Sequence, residues 1–196
     1  MRFIGRGWQY SVYSIGNGKV YKRYNSWFEA YREMLKEQLS TLKFPVLGFT
    51  GNYFKGKKLA SESLKRVVSS SLDQNLFGNP KIVGKLEYEQ DFIVPLSCYF
   101  KHHSLAESKE KIDSFIKFCL LLHKNSLIEK NFNMADNFGL NKSGEIVLSD
   151  LGEICSTEKE IAVQTKKRVW MKQDVLGKFP AHLHEYFIQK MDETFG

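Results

Sequence analysis

The sequence predicts an α+β chain with a strand-rich first half and a helix-rich second half. Three observations carry this. An Asn-Gly turn, Gly16-Asn17-Gly18, separates two β-rich runs, SVYSI and KVYKRY. Both central residues of a type I′ hairpin turn need φ > 0, which Asn and Gly tolerate. Two capping-box patterns, SWFE from Ser26 and SLAE from Ser104, each open a run of helical apolar spacing. A turn into a short apolar strand, GEIVLSD (Gly144–Asp150), stands between two helical stretches. With 196 residues, 42% hydrophobic and 14% aromatic, the chain suits one domain, or one domain of two small lobes, with a sizeable core.

Taken in order, the opening hairpin is followed by a helix with Ser26 as N-cap and Glu29 at N3. Phe28, Tyr31, Leu35 and Leu42 mark its apolar face and Pro45 ends it. The stretch Gly56–Gly84 mixes Lys, Ser, Asn and Gly and includes the run Ser69–Ser71, so it reads as loops or an irregular insertion. FIVPL (Phe92–Leu96) reads as a buried strand. The helix opened at Ser104 runs to about Asn125, with Ile112, Phe115, Ile116, Cys119, Leu120 and Leu122 on its apolar face. The segment after Thr157 reads as helical, broken near Pro180. No internal repeat is visible.

Bulk properties exclude several classes. No stretch reaches roughly 18 uninterrupted apolar residues, which argues against a membrane span. The N-terminal MRFIGRGW lacks the long apolar run of a secretory signal. Cys98, Cys119 and Cys155 are odd in number and widely spaced, so no disulfide framework or zinc knuckle is indicated, and a reducing compartment is expected. His102-His103 and His182-x-His184 lack metalloprotease spacing and read as surface histidines. The net charge is +7, but the cations are scattered, with small clusters only at Lys55–Lys58 and Lys166–Arg168. That pattern fits a solvated basic surface better than a nucleic-acid patch.

Three separated features carry chemistry. Gly5-x-Gly7-x-x-Tyr10-x-Val12 follows the phosphate-loop pattern G-x-G-x-x-G-x-V with Tyr10 at the third glycine; glycines let backbone N–H groups approach phosphate closely. Lys22 shares a strand face with Val20 and can reach the α/β-phosphates of a nucleotide under that loop. Asn137 and Asp150, in NFNMADNFGLNKSGEIVLSDLGE (Asn131–Glu153), are good oxygen ligands for Mg²⁺, which takes few carboxylates plus phosphate oxygens.

In this order, over nearly the whole chain, these features resemble the protein-kinase-like fold, in the small divergent branch of bacterial and phage proteins that includes the short YrbL-type family. SDLGE (Ser149–Glu153) resembles the magnesium-binding Asp-Phe-Gly motif with Leu151 for Phe. The resemblance implies a two-lobed minimal kinase-like fold in a single domain over 1–196, with a small N-terminal β lobe (1–96), a short helical C-terminal lobe (97–196) and a hinge near Leu96–Tyr99. It implies ATP and Mg²⁺ as ligands: Gly5, Gly7, Val12 and Val20 around the nucleotide, Lys22 on its phosphates, Asn137 and Asp150 on the metal. Of Glu29, Glu33 and Glu37, spaced i, i+4, i+8, Glu33 is the expected partner of Lys22.

The catalytic loop departs from H-R-D-x-x-x-x-N. Counting back from Asn137 places Phe132 where the Asp belongs, or Asn133 with a one-residue slip. Neither is a carboxylate base. Asp136 is the nearby carboxylate that could serve instead. Two readings of the resemblance therefore stay open: a phosphotransferase acting on a protein, with Lys22, Glu33, Asn133 and Asp136 in the catalytic set, or a pseudokinase that regulates a protein partner without transfer. A basic nucleic-acid-binding protein is the alternative from another class. The resemblance implies a cytoplasmic protein, or one delivered into a host cell's cytosol.

Overall fold

The structure is a computed structural model and describes residues 1–40, 48–155 and 157–196. The chain opens with β1 (Arg2–Arg6), β2 (Tyr10–Gly16) and β3 (Lys19–Tyr24). Between β2 and β3, Asn17 and Gly18 take φ of 51° and 68°, the positive values a tight hairpin turn requires. With β4 (Lys81–Gly84) and β5 (Glu87–Asp91) these strands form an antiparallel sheet in the order β1-β2-β3-β5-β4. Alternation along β3 puts Val20, Lys22 and Tyr24 on one face. Tyr10, Tyr24 and Tyr88 meet there edge-on, with centroids 5.2 and 5.5 Å apart.

Helix α1 (Trp27–Ser40) begins with the expected capping box: Glu29 N–H donates to Ser26 Oγ, and Ser26 N–H donates to Glu29 Oε2 at 2.9 Å. Its inner face differs from the expected one. Ala30 is fully buried and Tyr31 and Met34 pack on the core, whereas Phe28 is 68% exposed. The stack of Trp27 on Tyr31, and of Tyr31 edge-on to Phe49 (5.3 Å), fixes that rotation. Leu42 and Pro45 lie outside the described residues.

The stretch expected as loops is instead largely helix α2 (Phe49–Ser69), a 3₁₀ turn at Gln74–Phe77 and strand β4. Tyr53, Ala60, Leu64 and Val67 are buried on one side of α2, and Ser63 with them, its Oγ accepting from Ile154 N–H at 3.0 Å. Lys55, Lys58 and Lys65 lie on the solvent face of this amphipathic helix. Gly56 is a contact requirement rather than a breaker. A Cβ there would come within 3.1 Å of the Trp8 indole.

The strand expected over Phe92–Leu96 shrinks to β6 (Val94–Pro95), and α3 (Leu96–Tyr99) follows at once. Helix α4 (Leu105–Lys124) carries a complete Ser104/Glu107 capping box and buries Ile112, Phe115, Ile116, Cys119 and Leu122, as its spacing predicts. Then come α5 (Met134–Asn137), β7 (Phe138–Leu140) and β8 (Ile146–Leu148), with β6-β7-β8 forming a second antiparallel sheet. The chain ends in α6 (Glu158–Lys166), α7 (Gln173–Leu176) and α8 (His184–Phe195). Pro180 lies in the break between the last two. The fold is therefore α+β with antiparallel sheets, and among the described residues no helix is long and apolar enough to cross a membrane.

Candidate functional site

The turn from β1 to β2, the inner face of β3, and the segments 129–137 and 149–153 enclose a cleft of about 610 Å³. Its wall on the hairpin side is built by Asn25, which is almost fully buried. The Asn25 amide donates to the carbonyls of Gly7 (2.7 Å) and Trp8 (3.0 Å), and its oxygen accepts from Ser11 Oγ (2.6 Å). Arg6 in turn donates to Ser11 Oγ (2.6 Å) and pairs with Glu29 (2.9 Å). Gly7 N–H donates to the Tyr10 carbonyl at 2.9 Å, so the turn uses that N–H internally rather than offering it to phosphate. Gly5 lies within β1 opposite Val12.

Lys22 reaches from β3 across the cleft. Its Nζ donates to the Ser149 carbonyl at 2.7 Å and lies 5.7 Å from the Tyr88 ring centroid. Burial lowers the ammonium's pKa, and the charge of Asp150 works against that. Among the described residues Lys22 has no carboxylate at ion-pair distance. The expected Lys22–Glu33 pair is not made: Glu33 lines the cleft but pairs with Lys36 (3.0 Å) and Arg32 (3.5 Å) on its own helix.

Asp150 closes a short turn, accepting from Gly152 N–H at 2.9 Å, while Ser149 N–H and Asp150 N–H both donate to the Asn137 carbonyl (2.8 and 3.1 Å). The backbone thus clamps the two expected metal-binding positions side by side. Asp150 and Asn137 both line the cleft and are the residues that could hold a Mg²⁺ ion completed by phosphate and water oxygens. Among the described residues no group of three or more His, Cys, Asp and Glu could hold a metal by itself.

The floor is the segment 129–137. Glu129, 1% exposed, accepts from the N–H groups of Asn131 (3.0 Å) and Asn133 (2.9 Å). Burial raises its pKa to about 7, against the lowering effect of those two hydrogen bonds. Phe132 has φ of 50° and points away from the cleft, fully buried against Trp170 and Phe195 (centroids 5.7 and 5.2 Å). Asn133 lines the cleft and caps α5. Asp136 also lines it and forms an ion pair with Lys178. Gln9 donates to Glu153 Oε1 at 2.8 Å and Asn131 donates to Glu153 Oε2 at 3.0 Å.

The cleft brings together Gly7, Val12, Lys22, Glu33, Asn133, Asp136, Asn137 and Asp150, residues that the sequence singled out from four separate stretches. Gly5 and Val20 are not among its lining: Gly5 is a strand residue, and Val20 is buried in the sheet. Gln9, Glu129, Asn131, Glu153 and Lys178 were not foreseen. Glu129 had one usable signal, an acid between the apolar Leu127-Ile128 and Phe132. The others depend on tertiary approach. Together the lining offers cations, amides and carboxylates in one cavity, a composition that suits a phosphorylated ligand with a divalent cation.

No protein-family model matches the chain, and no curated protein matches it. Among solved structures the chain is similar to Rv3197 of Mycobacterium tuberculosis, determined in complex with erythromycin, with 16% identity and a TM-score of 0.52 over 98% of this chain and 54% of that one. The chain thus spans about half the length of that protein, and at this identity the likeness concerns the fold.

Proposed function

We propose that this chain is a minimal kinase-like protein that binds Mg·ATP in the 610 Å³ cleft and transfers phosphate to a protein through an atypical catalytic loop. In this reading residues 1–96 and 97–196 form the two lobes. The observation that carries it is Lys22. A partly buried ammonium facing a cleft, with one carbonyl partner and, among the described residues, no carboxylate at ion-pair distance, is complemented by an anion, and a phosphate supplies one. The clamp that sets Asp150 beside Asn137 supports a Mg²⁺ ion at that end, whose contribution is to neutralise phosphate charge. Lys22 holds the phosphates, Val12 lies along the nucleotide, and Asp136 is the carboxylate available to take an acceptor's proton.

A pseudokinase is the second reading, favoured by one observation: Phe132 sits in the core, so no carboxylate faces the cleft from that position. One experiment tests both. Thermal shift with Mg·ATP is measured for the wild type, Lys22→Ala and Asp150→Ala, alongside γ-phosphate transfer to itself and to a generic protein. We expect stabilisation of the wild type, lost in both variants. Transfer that Asp150→Ala abolishes supports the enzyme, and stabilisation without transfer supports the pseudokinase. A wild type indifferent to nucleotide sinks both.

A further inference from the structure

Besides Lys22, the described lining contains two cations, Arg6 and Lys178. Arg6 is committed to Ser11 and Glu29 within the hairpin network. Lys178 is placed differently. Its backbone is anchored: the next residue, Phe179, is buried edge-on against Phe100 (5.0 Å) and packed on Phe187, and the Phe179 carbonyl is bound by His184 Nε2 at 2.8 Å. From that anchor the Lys178 side chain enters the cleft and meets Asp136, the residue next to Asn137. Both members of the pair remain partly accessible, with side-chain exposures of 56% and 34%. An ion pair so exposed contributes little to stability and is easily exchanged for a stronger anion.

We propose that Lys178 is the cleft's terminal-phosphate sensor: a cation parked on Asp136 that moves to the outermost phosphate of a bound nucleoside triphosphate. This rests on the reading of the cleft as a nucleotide site. Exchange of partners would distinguish triphosphate from diphosphate and would at the same time free the Asp136 carboxylate. Charge supplied from a separate segment of the chain is a general solution for stabilising a phosphoryl group. Here that segment lies 42 residues beyond Asp136.

The test is a pair of dissociation constants, for Mg·ADP and for a non-hydrolysable Mg·ATP analogue, in the wild type, Lys178→Met, Lys178→Arg and Asp136→Asn. The wild type is expected to prefer the triphosphate by about tenfold, the ratio of one charge-assisted contact. Lys178→Met should abolish most of that preference while Mg·ADP affinity stays within about twofold, and Lys178→Arg should restore it. Asp136→Asn should shift the ratio the other way, because it removes the competitor for Lys178; this also answers the question if Lys178→Met does not fold. A ratio indifferent to both positions, with both nucleotides bound, overturns the inference and leaves the nucleotide site standing. Binding of neither nucleotide by the wild type overturns both.

Discussion

On the hairpin side of the cleft, the Asn25 amide satisfies the backbone carbonyls of Gly7 and Trp8; on the floor, the Glu129 carboxylate satisfies the backbone N–H groups of Asn131 and Asn133. Both side chains are 1% exposed, and each holds a loop by filling backbone valences that water cannot reach. The difference is charge. Asn25 is neutral and its hydroxyl partner Ser11 is neutral, so the turn is held the same way at any ordinary pH. Glu129 is an acid whose burial lifts its pKa to about 7. The floor therefore carries a desolvation cost that the hairpin does not, and it leans more heavily on packing, above all on Phe132.

The largest test of that contrast is Phe132→Asp, which puts a carboxylate into the packed underside of the floor. The side chain there faces Trp170 and Phe195, not the cleft. Truncating a buried Phe costs about 3–5 kcal/mol, and an unpaired buried charge adds to it. We expect a loss above about 5 kcal/mol in urea denaturation, comparable to the whole stability of a small domain, and no gain of transfer. A folded Phe132→Asp variant with raised transfer would show that the floor rearranges and that Phe132 is not its keystone.

The next test uses pH. The folded state binds the Glu129 proton more tightly than the unfolded chain does, because the pKa rises from 4.5 to about 7 on folding. Its stabilising contribution is therefore fully present below about pH 4.5, declines as pH rises, and is gone once pH passes about 7. The linked change is at most about 3 kcal/mol. Glu129→Gln should flatten that slope between pH 5 and 7.5, while lowering stability overall by about 1–2 kcal/mol, since an amide NH₂ then faces a backbone N–H. Asn25→Ala should lower stability without changing the slope. Equal slopes in wild type and Glu129→Gln would erase the distinction between the two walls.

What the sequence disclosed follows the same division between local and remote causes. The hairpin, the two capping boxes and the apolar face of α4 were legible because neighbouring residues alone determine them. Asn137 and Asp150 were legible as a pair, although only the Asn137 carbonyl's hydrogen bonds explain why they stand together. Helix α2 was misread because a stretch mixing Lys, Ser, Asn and Gly has a loop's composition, and the burial of Tyr53, Ala60, Leu64 and Val67 on one side shows only in the packed fold. Glu33 looked like the partner of Lys22 because both residues were judged from their own segments, and β3 sends Lys22 to Ser149 instead. The burial of Glu129 was hidden for a like reason. It is set by its antiparallel bridge to Ile154, 25 residues on, which no local pattern reveals.

The smallest expected effect concerns the join between the walls. Glu153 receives one amide from each side, Gln9 from the turn and Asn131 from the floor. The Gln9 side chain also covers Gly152, where a Cβ would lie 2.2 Å from Gln9 Oε1. Gln9→Ala removes one hydrogen bond to a charged group that Asn131 still serves, so it should cost only about 1 kcal/mol. Its consequence should be local: amide hydrogen exchange at Trp8 and Gln9 should accelerate by about fivefold, the equivalent of that energy, while Asn133, held by Glu129, should not change. If the walls communicate through Glu153, the double variant Gln9→Ala/Asn131→Ala should depart from additivity by more than about 0.5 kcal/mol. Additive losses, with exchange at the turn unaltered, would mean that Asn25 alone holds the turn. The cleft would then be two independently built surfaces that only a ligand draws together.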